Sequence, residues 1–261
     1  MKNTTSIVSW NVNGLRAIER KEAFHFITDA TYDIIGIQET KISDPGLLSE
    51  KVLHPDGYHS FWNCGTERKG YSGVGLYSKK EPLSVVTQFG DTHLSREGRV
   101  IQAEFENFYL LNIYFPNGGS GETRLEYKLE FYKQFIEYLK KLKVKQKPII
   151  FMGDVNTAHH DIDLARPKQN INTSGFMPIE RAWLDTFEQT HFVDTFRHFH
   201  PDKAEQYTWW DMKSGARSRN IGWRIDYIYA EKQLIPHIQD AFILPTVIGS
   251  DHCPVGITIT F

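Results

Sequence analysis

The sequence predicts a single mixed α/β domain. Three observations support this fold class: several apolar, strand-like runs that end in polar residues, one long amphipathic helix pattern, and no linker, low-complexity segment or tandem repeat along 261 residues. A chain of this length buries roughly three quarters of its unfolded surface, so it needs no disulfides to hold a core. We therefore expect residues 1–261 to form one domain.

The predicted strands are short apolar or alternating runs that end at glycine or polar residues. The β-branched run at 5–10 is closed by Asn11 to Gly14. The run at 149–152 is apolar throughout, and the run at 32–38 has an apolar centre, which is typical of strands buried on both faces. Less regular strands are predicted between 57 and 87, in a hairpin at 99–114, and at 207–210, 223–229 and 257–261.

Three segments predict helices. The clearest is 122–143, where apolar residues recur at spacings of 4, 3, 4 and 3 at Leu125, Leu129, Tyr132, Ile136 and Leu139. Its lysine-rich end suits a solvated last turn that complements the helix dipole. Amphipathic patterns also predict helices at 15–30 and 179–190.

Polar residues follow four of the apolar segments. The segments 7–10, 34–38, 149–152 and 247–248 are followed, in turn, by Asn11 and Asn13, by Glu39, by Asp154 and Asn156, and by Ser250, Asp251 and His252. Asp154 and Asn156 alone favour a simple Asx turn. Four such ends together favour a functional site, with the strand ends of two similar halves meeting at one mouth.

Carboxylate and amide oxygens dominate this set, and they suit Mg²⁺ or, as a substitute, Mn²⁺. A hard divalent ion beside a carboxylate base and a histidine fits phosphoester hydrolysis. The run His159-His160-Asp161 is a weaker metal candidate, because adjacent histidines point apart in a strand and diverge on a helix.

The stretch RSRNIGWRIDY (217–227) carries Arg217, Arg219 and Arg224 around Trp223. Arginine forks and an aromatic face together favour phosphate and nucleic-acid binding, although a half-buried strand with solvated arginines explains them equally well. Asp226 lies among apolar residues and needs a partner, for which His252 is the natural candidate.

The composition indicates the cellular compartment but does not identify the substrate. With 30 basic and 32 acidic residues the net charge is −2, which argues mildly against non-specific nucleic-acid binding unless the basic residues share one face. Cys64 and Cys253 give no disulfide framework, and neither a signal-like N-terminus nor a long apolar run is present. We therefore expect an intracellular protein without a membrane segment.

Six ordered blocks span nearly the whole chain: SWNVNGLRA (9–17), IGIQETK (35–41), NIYFPNG (112–118), GDVNTAHHDIDL (153–164), RNIGWRIDY (219–227) and GSDHCP (249–254). Together they resemble the exonuclease III family of apurinic/apyrimidinic (AP) endonucleases, in the deoxyribonuclease I-like superfamily. The resemblance implies a four-layered α/β sandwich, in which two packed mixed β-sheets are flanked by helices.

The resemblance also implies roles for individual residues. Glu39 would be the main Mg²⁺ ligand, Asp154 would activate the attacking water or shuttle its proton, and Asn156 would orient it. The implied catalytic residues are Tyr114, Asp154, Asn156, Asp226 and His252. The implied metal-binding residues are Asn11, Glu39, Asp154, Asn156 and Asp251. Whether Asp154 or His252 is the general base stays open, because coupled groups titrate together.

DNA contacts are implied in the same way. The implied contacts to DNA are Arg16, Tyr71, Arg99, Asn117, Arg219 and Trp223, and the implied walls of a pocket for the flipped abasic sugar are Trp209, Trp223 and Ile225. An abasic nucleotide has no base pairing or stacking to lose, so its extrusion costs little.

Three residues and one loop depart from the pattern of some relatives. Asn13 replaces an Asp near the metal, which favours one metal over two. Ser120 replaces an Arg inserted into DNA, and Thr173 replaces an Asn that contacts phosphate. The loop 211–216 also differs in length.

The leading expectation is a Mg²⁺-dependent enzyme that acts as a monomer on double-stranded DNA containing abasic sites or blocked 3′ ends. It would cut 5′ to the abasic site and also trim 3′ ends. One alternative is a phosphatase or phosphodiesterase of the same superfamily that acts on inositol phosphates or sphingolipids. A DNA-binding scaffold with a dead site is disfavoured, because the full set of catalytic residue types is present.

Overall fold

The structure, a computed structural model, describes residues 4–29, 31–90 and 92–261. Its strands are β1 (Thr4–Asn11), β2 (Ile34–Gln38), β3 (His59–Asn63), β4 (Val74–Ser78), β5 (Ser84–Val86), β6 (Val100–Glu104), β7 (Tyr109–Tyr114), β8 (Ile149–Asp154), β9 (Phe192–Asp194), β10 (Asp226–Glu231), β11 (Ile238–Ile243) and β12 (Val255–Thr260). Its α-helices are α1 (Leu15–Arg20), α2 (His25–Thr28), α3 (Glu50–Leu53), α4 (Thr92–Ser95), α5 (Glu122–Lys143), α6 (Pro167–Asn170), α7 (Pro178–Gln189) and α8 (Thr195–Phe199).

The strands form two mixed six-stranded sheets. The first has the order β11-β12-β1-β2-β4-β3, and the second has the order β5-β6-β7-β8-β10-β9. In each sheet one central pair is parallel, β1 with β2 and β7 with β8, and the other pairs are antiparallel. Strands β5 to β10 form the second sheet, and β1 to β4 form the first sheet together with β11 and β12. The molecule thus has two halves, as the strand-end pattern predicts.

Strand β8 illustrates how the layers are held. Its alternate side chains point to opposite faces. Ile150 and Met152 pack in the core between the two sheets. Ile149 and Phe151 pack on the outer face against helices α5 and α7. Together with the helical layer on the first sheet, this confirms the four-layered sandwich that the family resemblance implies.

Several predicted elements are confirmed, and three differ from the prediction. The helix at 122–143 matches α5, and the hairpin at 99–114 corresponds to β6 and β7. The helix predicted at 15–30 instead divides into α1 and α2, because Glu22 adopts a left-handed conformation with φ of 57° that interrupts the helical hydrogen bonds. The last residue of that prediction, Ala30, lies outside the described residues.

Two late strands also differ from expectation. Residues 207–210 form no strand; Trp209 makes only isolated bridges, to Trp223 and His252. The segment 247–248 is a loop with Ile248 exposed, so Ser250 to His252 precede strand β12 rather than follow a strand. Strand β11 was not predicted, because an edge strand with exposed Gln239 and Asp240 lacks a clear apolar pattern.

The carboxyl ends of the central strands meet at one mouth of the sandwich. Asn11 ends β1, and Glu39 follows β2 directly. Asp154 ends β8, where it is paired in register with Tyr114 on one side and Asp226 on the other. Within the described ranges, no helix combines the length and apolar character that crossing a bilayer requires.

Candidate active site

Asp154 lies at the centre of the mouth and is almost completely buried. Its Oδ1 accepts a hydrogen bond of 2.8 Å from the backbone N–H of Asn156. Its Oδ2 accepts from the side-chain amides of Asn11, at 2.8 Å, and of Asn156, at 3.2 Å. Because Asn11 belongs to the first sheet and Asn156 follows β8 in the second, this carboxyl group joins the two halves of the molecule.

Asn156 is held by its backbone as well as by its side chain. Its φ of 55° lies in the left-handed region, which asparagine tolerates better than most residues. Its amide nitrogen donates to the carbonyl of Phe115 at 3.0 Å, and its Oδ1 accepts from Asn117 at 2.9 Å. The Asx-turn contact with Asp154 exists, but it forms part of a larger hydrogen-bond network across the mouth.

Glu39 faces Asp154 from the first sheet. The Asn11 amide nitrogen donates to Glu39 Oε1 at 3.0 Å and also to Asp154, so one donor bridges the two carboxylates. Lys41 pairs with the second oxygen of Glu39 at 3.0 Å. Glu39 has φ of 50°, a conformation that costs a residue with a Cβ roughly 1–2 kcal/mol. The sequence therefore keeps a strained glutamate at this strand end.

His252 and Asp226 form the predicted pair. His252 Nδ1 lies 2.8 Å from Asp226 Oδ2, and the Thr208 hydroxyl donates to the same oxygen at 2.6 Å. These bonds orient the imidazole so that Nε2 faces Asp154 Oδ2 across 3.9 Å. Both residues are buried. The arrangement places a ring N–H at the mouth, next to the central carboxyl group.

Asp251 lies at the edge of this arrangement. Its two oxygens accept hydrogen bonds from Asn13 Nδ2, at 2.8 Å, and from Trp209 Nε1, at 3.1 Å. The ligand atoms of Glu39, Asp154 and His252 lie within 4.8 Å of one another, and Asp251 is not part of that group. The asparagine at position 13 thus serves as a donor to Asp251.

The electrostatics of the site follow from burial and crowding. Burial, and then the charge of Asp226, raise the pKa of Asp154 to about 8. Burial opposes the charged form of His252, but the neighbouring Asp226 outweighs it and raises the pKa of the imidazole to about 10. Burial, and then Glu39, raise the pKa of Tyr114 well above its usual value. Near neutral pH the metal-free site therefore holds a protonated phenol, an imidazolium and a mostly protonated Asp154 carboxyl group.

These residues fit a hard divalent cation. Carboxylate oxygens from both sheets face one another across a single amide donor, and the surrounding donors are amide and carbonyl groups rather than thiols. The positive charges near the carboxylates are Lys41 and the imidazolium of His252. The described residues thus provide an acidic cluster that could bind a metal ion.

The candidate DNA-contacting residues occupy two different settings. Arg16 and Asn117 are exposed, and Arg16 lines a groove of about 460 Å³ that also includes Asn13 and Lys41. Arg99, in contrast, is 1% exposed. Its guanidinium pairs with Glu97 at 2.5 Å and donates to the Tyr71 hydroxyl at 3.2 Å and to the Tyr114 carbonyl at 2.9 Å. It therefore supports the two tyrosines from below.

The candidate pocket residues are brought together. Trp209, Trp223 and Ile225 pack in one apolar cluster with Phe176 and Leu164. The Trp209 and Trp223 rings meet edge to face with centroids 6.4 Å apart. The bridge from Trp209 to His252 places this cluster beside the catalytic mouth.

The three arginines of the 217–227 stretch lie in different environments. Arg219 is exposed, with its guanidinium donating to the Ser214 carbonyl at 2.8 Å. Arg224 is 1% exposed and pairs with Asp163 at 2.8 Å and Asp194 at 2.7 Å. Arg217 donates to three loop carbonyls. The expectation that all three serve as phosphate forks is wrong for Arg224, because a buried arginine needs its carboxylate partners.

Sequence reasoning missed several supporting residues. Lys41 lies two residues after Glu39, at the end of the block IGIQETK. This close spacing was the signal that could have identified it as a partner of Glu39. Thr208 and Phe176 reach the site from distant segments, and no local pattern marks them. Lys128, buried on α5, donates to the carbonyl of Asn156 at 2.8 Å, and its helical spacing indicated only a core position.

Comparison with known proteins agrees with this geometry. Residues 8–252 match the Endonuclease/Exonuclease/phosphatase family. The chain is 45% identical over 254 residues to an exodeoxyribonuclease of Bacillus subtilis, covering 97% of this chain and 98% of that protein. It is 40% identical over 249 residues to the DNA repair nuclease APEX1 of Danio rerio, covering 95% of this chain and 80% of that protein.

Solved structures give the same result. The AP endonuclease of Leishmania major superposes with a TM-score of 0.90 at 30% identity, and the match covers 99% of this chain and 88% of that one. The similarity thus includes both sheets and every strand that carries the mouth. The chain belongs to the endonuclease/exonuclease/phosphatase family, in its group of exonuclease III-like AP endonucleases.

Proposed function

We propose that this chain is a DNA repair endonuclease that hydrolyses the phosphodiester 5′ to an abasic site, leaving a 3′-hydroxyl and a 5′-deoxyribose phosphate. We also propose a 3′→5′ exonuclease or 3′-end repair activity at the same site. The observation that carries the proposal is the convergence of Glu39, Asp154 and the His252–Asp226 pair beside an aromatic cluster. The names of its relatives, exodeoxyribonuclease and AP endonuclease, support the same activity.

The metal we propose is Mg²⁺, with Mn²⁺ as a substitute. Glu39 and Asp154 would hold it, with Asn11, Asn156 and Asp251 at the edge of the site. When bound, the ion would polarise a phosphoryl oxygen and neutralise charge that develops there. The hard oxygen donors support Mg²⁺ over zinc at this mouth.

Asp154 is proposed to accept the proton of the attacking water. Its raised pKa supports this role, because a general base works best when its pKa lies near the working pH. Asn156 would orient the water, since its amide group is fixed by Phe115 and Asn117. His252 would donate a hydrogen bond from Nε2 to a non-bridging phosphate oxygen, and Asp226 would keep that ring oriented.

Tyr114 would contact the phosphate or assist the leaving oxygen, because its phenol remains protonated at neutral pH. Arg99 is proposed to act indirectly, by positioning Tyr114 and Tyr71. We propose that the exposed side chains of Arg16, Asn117 and Arg219 contact the DNA backbone directly. The half-buried Tyr71 would complete this set.

The aromatic cluster is proposed to receive the abasic sugar. Trp209, Trp223 and Ile225 would form its walls, and Trp223 would also contact the strand. Extrusion into such a pocket favours abasic nucleotides, because a nucleotide with a paired and stacked base loses more free energy when it leaves the helix. We propose a monomer that acts on double-stranded DNA inside the cell, with residues 1–261 as one catalytic domain.

The test uses two variants on a duplex with a single abasic site. Asp154→Asn and Glu39→Ala should each lower the cleavage rate by about 10²-fold or more, because each removes a group that acts on the reacting phosphate. Duplex affinity, measured by fluorescence anisotropy, should persist. Lys140→Ala changes an exposed residue at the far end of α5 and should cleave normally. Normal turnover by either active-site variant would refute the proposal.

A phosphatase acting on inositol phosphates or sphingolipids is the competing outcome of the same assay. It would release phosphate from those headgroups and leave the abasic duplex intact. The position of the aromatic cluster next to His252 favours the nuclease, because a baseless sugar needs an apolar pocket beside the cleaved bond.

A further inference from the structure

A second group of metal-ligating side chains lies apart from the catalytic mouth. His159 and His160 follow β8 in an irregular loop, and Asp185 and Glu188 lie three residues apart on α7. The expectation that the two adjacent histidines point apart is wrong: their rings stack with centroids 3.8 Å apart. The reason is that residues 155–160 form neither strand nor helix, so neither regular geometry applies.

The hydrogen bonding of His159 is incomplete without a cation. Its Nε2 lies 2.8 Å from Asp185 Oδ1, a distance that requires a proton on Nε2. Its Nδ1 is buried and has no hydrogen-bond partner, although Glu188 Oε1 lies only 3.4 Å away. A neutral imidazole carries one ring proton, so its second nitrogen then presents a lone pair to a carboxylate oxygen. A cation bound between the nitrogen and the carboxylate oxygen would replace this repulsive contact with two coordinate bonds.

Two of the three ligand separations match those of a zinc site. Zinc bonds to imidazole nitrogen and carboxylate oxygen are about 2.0–2.1 Å, which places tetrahedral ligand atoms about 3.3 Å apart. Glu188 Oε1 lies 3.4 Å from His159 Nδ1 and 3.2 Å from His160 Nε2, and all three ligand atoms lie within 4.8 Å of one another. We propose that His159, His160 and Glu188 form a Zn²⁺ site.

Asp185 completes the arrangement as the carboxylate behind a histidine ligand. Such an outer carboxylate fixes the ring tautomer and raises the basicity of the coordinating nitrogen. The nearby cation, Arg181, does not fill the site, because it donates to the His159 carbonyl at 2.7 Å and pairs with Asp161 at 3.3 Å. His160 and Glu188 are 42% exposed, so the ion can enter from solvent.

The site would fasten α7 to the loop that begins at Asn156. This loop carries an active-site residue at its start and the two histidines at its end. Zinc would therefore stabilise the segment behind the mouth without touching the substrate. Its two imidazole ligands distinguish it from the oxygen-rich cluster at Glu39 and Asp154, which suits harder ions.

Calorimetric titration with ZnCl₂ tests the proposal on the full chain, after EDTA treatment and buffer exchange. The titration is run in the Asp154→Asn background with excess Mg²⁺, so that the mouth contributes little. One Zn²⁺ should bind per chain and should raise Tm. His160→Ala and Glu188→Gln should weaken binding by about 100-fold or more, and Asp185→Asn by about 10- to 100-fold. The control variant His198→Ala changes an exposed histidine elsewhere and should bind Zn²⁺ as tightly as the Asp154→Asn background does.

Binding that survives in both His160→Ala and Glu188→Gln would overturn the proposal. So would the absence of any binding, in which case long-range ¹H–¹⁵N spectra should show His159 protonated on both nitrogens in a plain ion-pair cluster. A singly protonated His159 whose Nδ1 signal shifts on Zn²⁺ addition is the result that supports the site. Circular dichroism on each variant separates lost ligands from lost folding.

Discussion

At the scale of single residues, Asp154 carries a conflict between burial and charge. It lies almost fully buried beside Asp226 and Glu39, and only His252 and amide donors favour its ionised form. The same burial that raises its pKa makes it a base suited to neutral pH. In the metal-free protein this residue therefore costs stability as it ionises, and a metal ion would offset that cost.

This conflict predicts a pH dependence of stability. The pKa of Asp154 is raised to about 8 in the folded state, so the folded protein keeps a proton that the unfolded chain has lost from about pH 4 upward. The free energy of unfolding then falls as pH rises through this window. His252, with its pKa raised to about 10, adds a further fall between about pH 6.5 and 10.

Asp154→Asn removes the contribution of Asp154 to this pH dependence. Between pH 5 and 8.5, the metal-free Tm of the variant should fall less than that of the wild type, by at least about 2 °C, which corresponds to roughly 1 kcal/mol in a protein of this size. Asp56→Asn, which changes an exposed carboxyl, should retain the wild-type slope. Equal slopes for wild type and Asp154→Asn would contradict the burial argument.

The identities of the mouth residues were predictable, but their partners were not. Asn11, Glu39, Asp154 and Asn156 follow apolar runs, and that local pattern was sufficient to group them. Thr208 and Lys128 contact the mouth from segments whose own sequence gives no such signal. Arg99 and Arg224 were expected to bind phosphate, but they are buried, since arginine pairs with carboxylates in cores as readily as with phosphates at surfaces.

At the scale of elements, strand β8 delivers Asp154 to the mouth only because Gly153 precedes it. Gly153 has φ of 143°, and a Cβ built there would lie 1.8 Å from the Ile113 carbonyl oxygen of β7. That neighbour is sheet backbone, which cannot move aside without breaking the pairing of β7 with β8. The tight approach thus fixes the position of the following carboxylate.

Gly153→Ala should therefore destabilise the protein by roughly 3 kcal/mol or more, measured by urea unfolding, and should abolish cleavage. Gly57→Ala is the matched control, because Gly57 has φ of 80° but no atom within 4 Å of a built Cβ. It should lose only the backbone term of about 1–2 kcal/mol. The argument fails if the two variants unfold at the same urea concentration.

Helices α5 and α7 are joined to the active-site loop by a buried ion pair. Lys128 Nζ donates to Glu180 Oε1 at 2.6 Å, to the Asn156 carbonyl at 2.8 Å and to the Thr157 hydroxyl at 2.8 Å. Both charged side chains are 0% exposed. A helix-periodicity argument places Lys128 on α5, but it does not reveal that a charged residue there points into the core.

Lys128→Met should cost about 3–5 kcal/mol in urea unfolding, because Glu180 would remain buried without its partner. The double variant Lys128→Met/Glu180→Gln should recover part of that loss, since no charge is then buried. Lys140→Ala, which breaks the exposed pair with Glu137, should cost less than about 1 kcal/mol. A loss for Lys128→Met no larger than that of this control would show that the pair is dispensable.

At the scale of the whole molecule, two six-stranded sheets each contribute half of the mouth. Asn11 and Glu39 come from the first sheet, and Asp154, Asp226 and Tyr114 come from the second. The repeated strand-end pattern predicted this arrangement, and the family resemblance implied two packed mixed sheets, whereas the order of the strands within each sheet was not predicted. Strand β11 and the break after α1 escaped both, because tertiary packing decides edge strands and helix ends.

The central claim is that this mouth cuts DNA beside an abasic site with the help of a divalent metal ion. The most direct measurement incubates the wild-type chain with a 5′-labelled duplex carrying one abasic site, with Mg²⁺ or with EDTA, and sizes the products on a denaturing gel. The account predicts, with Mg²⁺ only, one product that ends immediately 5′ to the abasic site in a hydroxyl group that a DNA polymerase extends. An intact duplex in Mg²⁺, or equal cutting in EDTA, would contradict it.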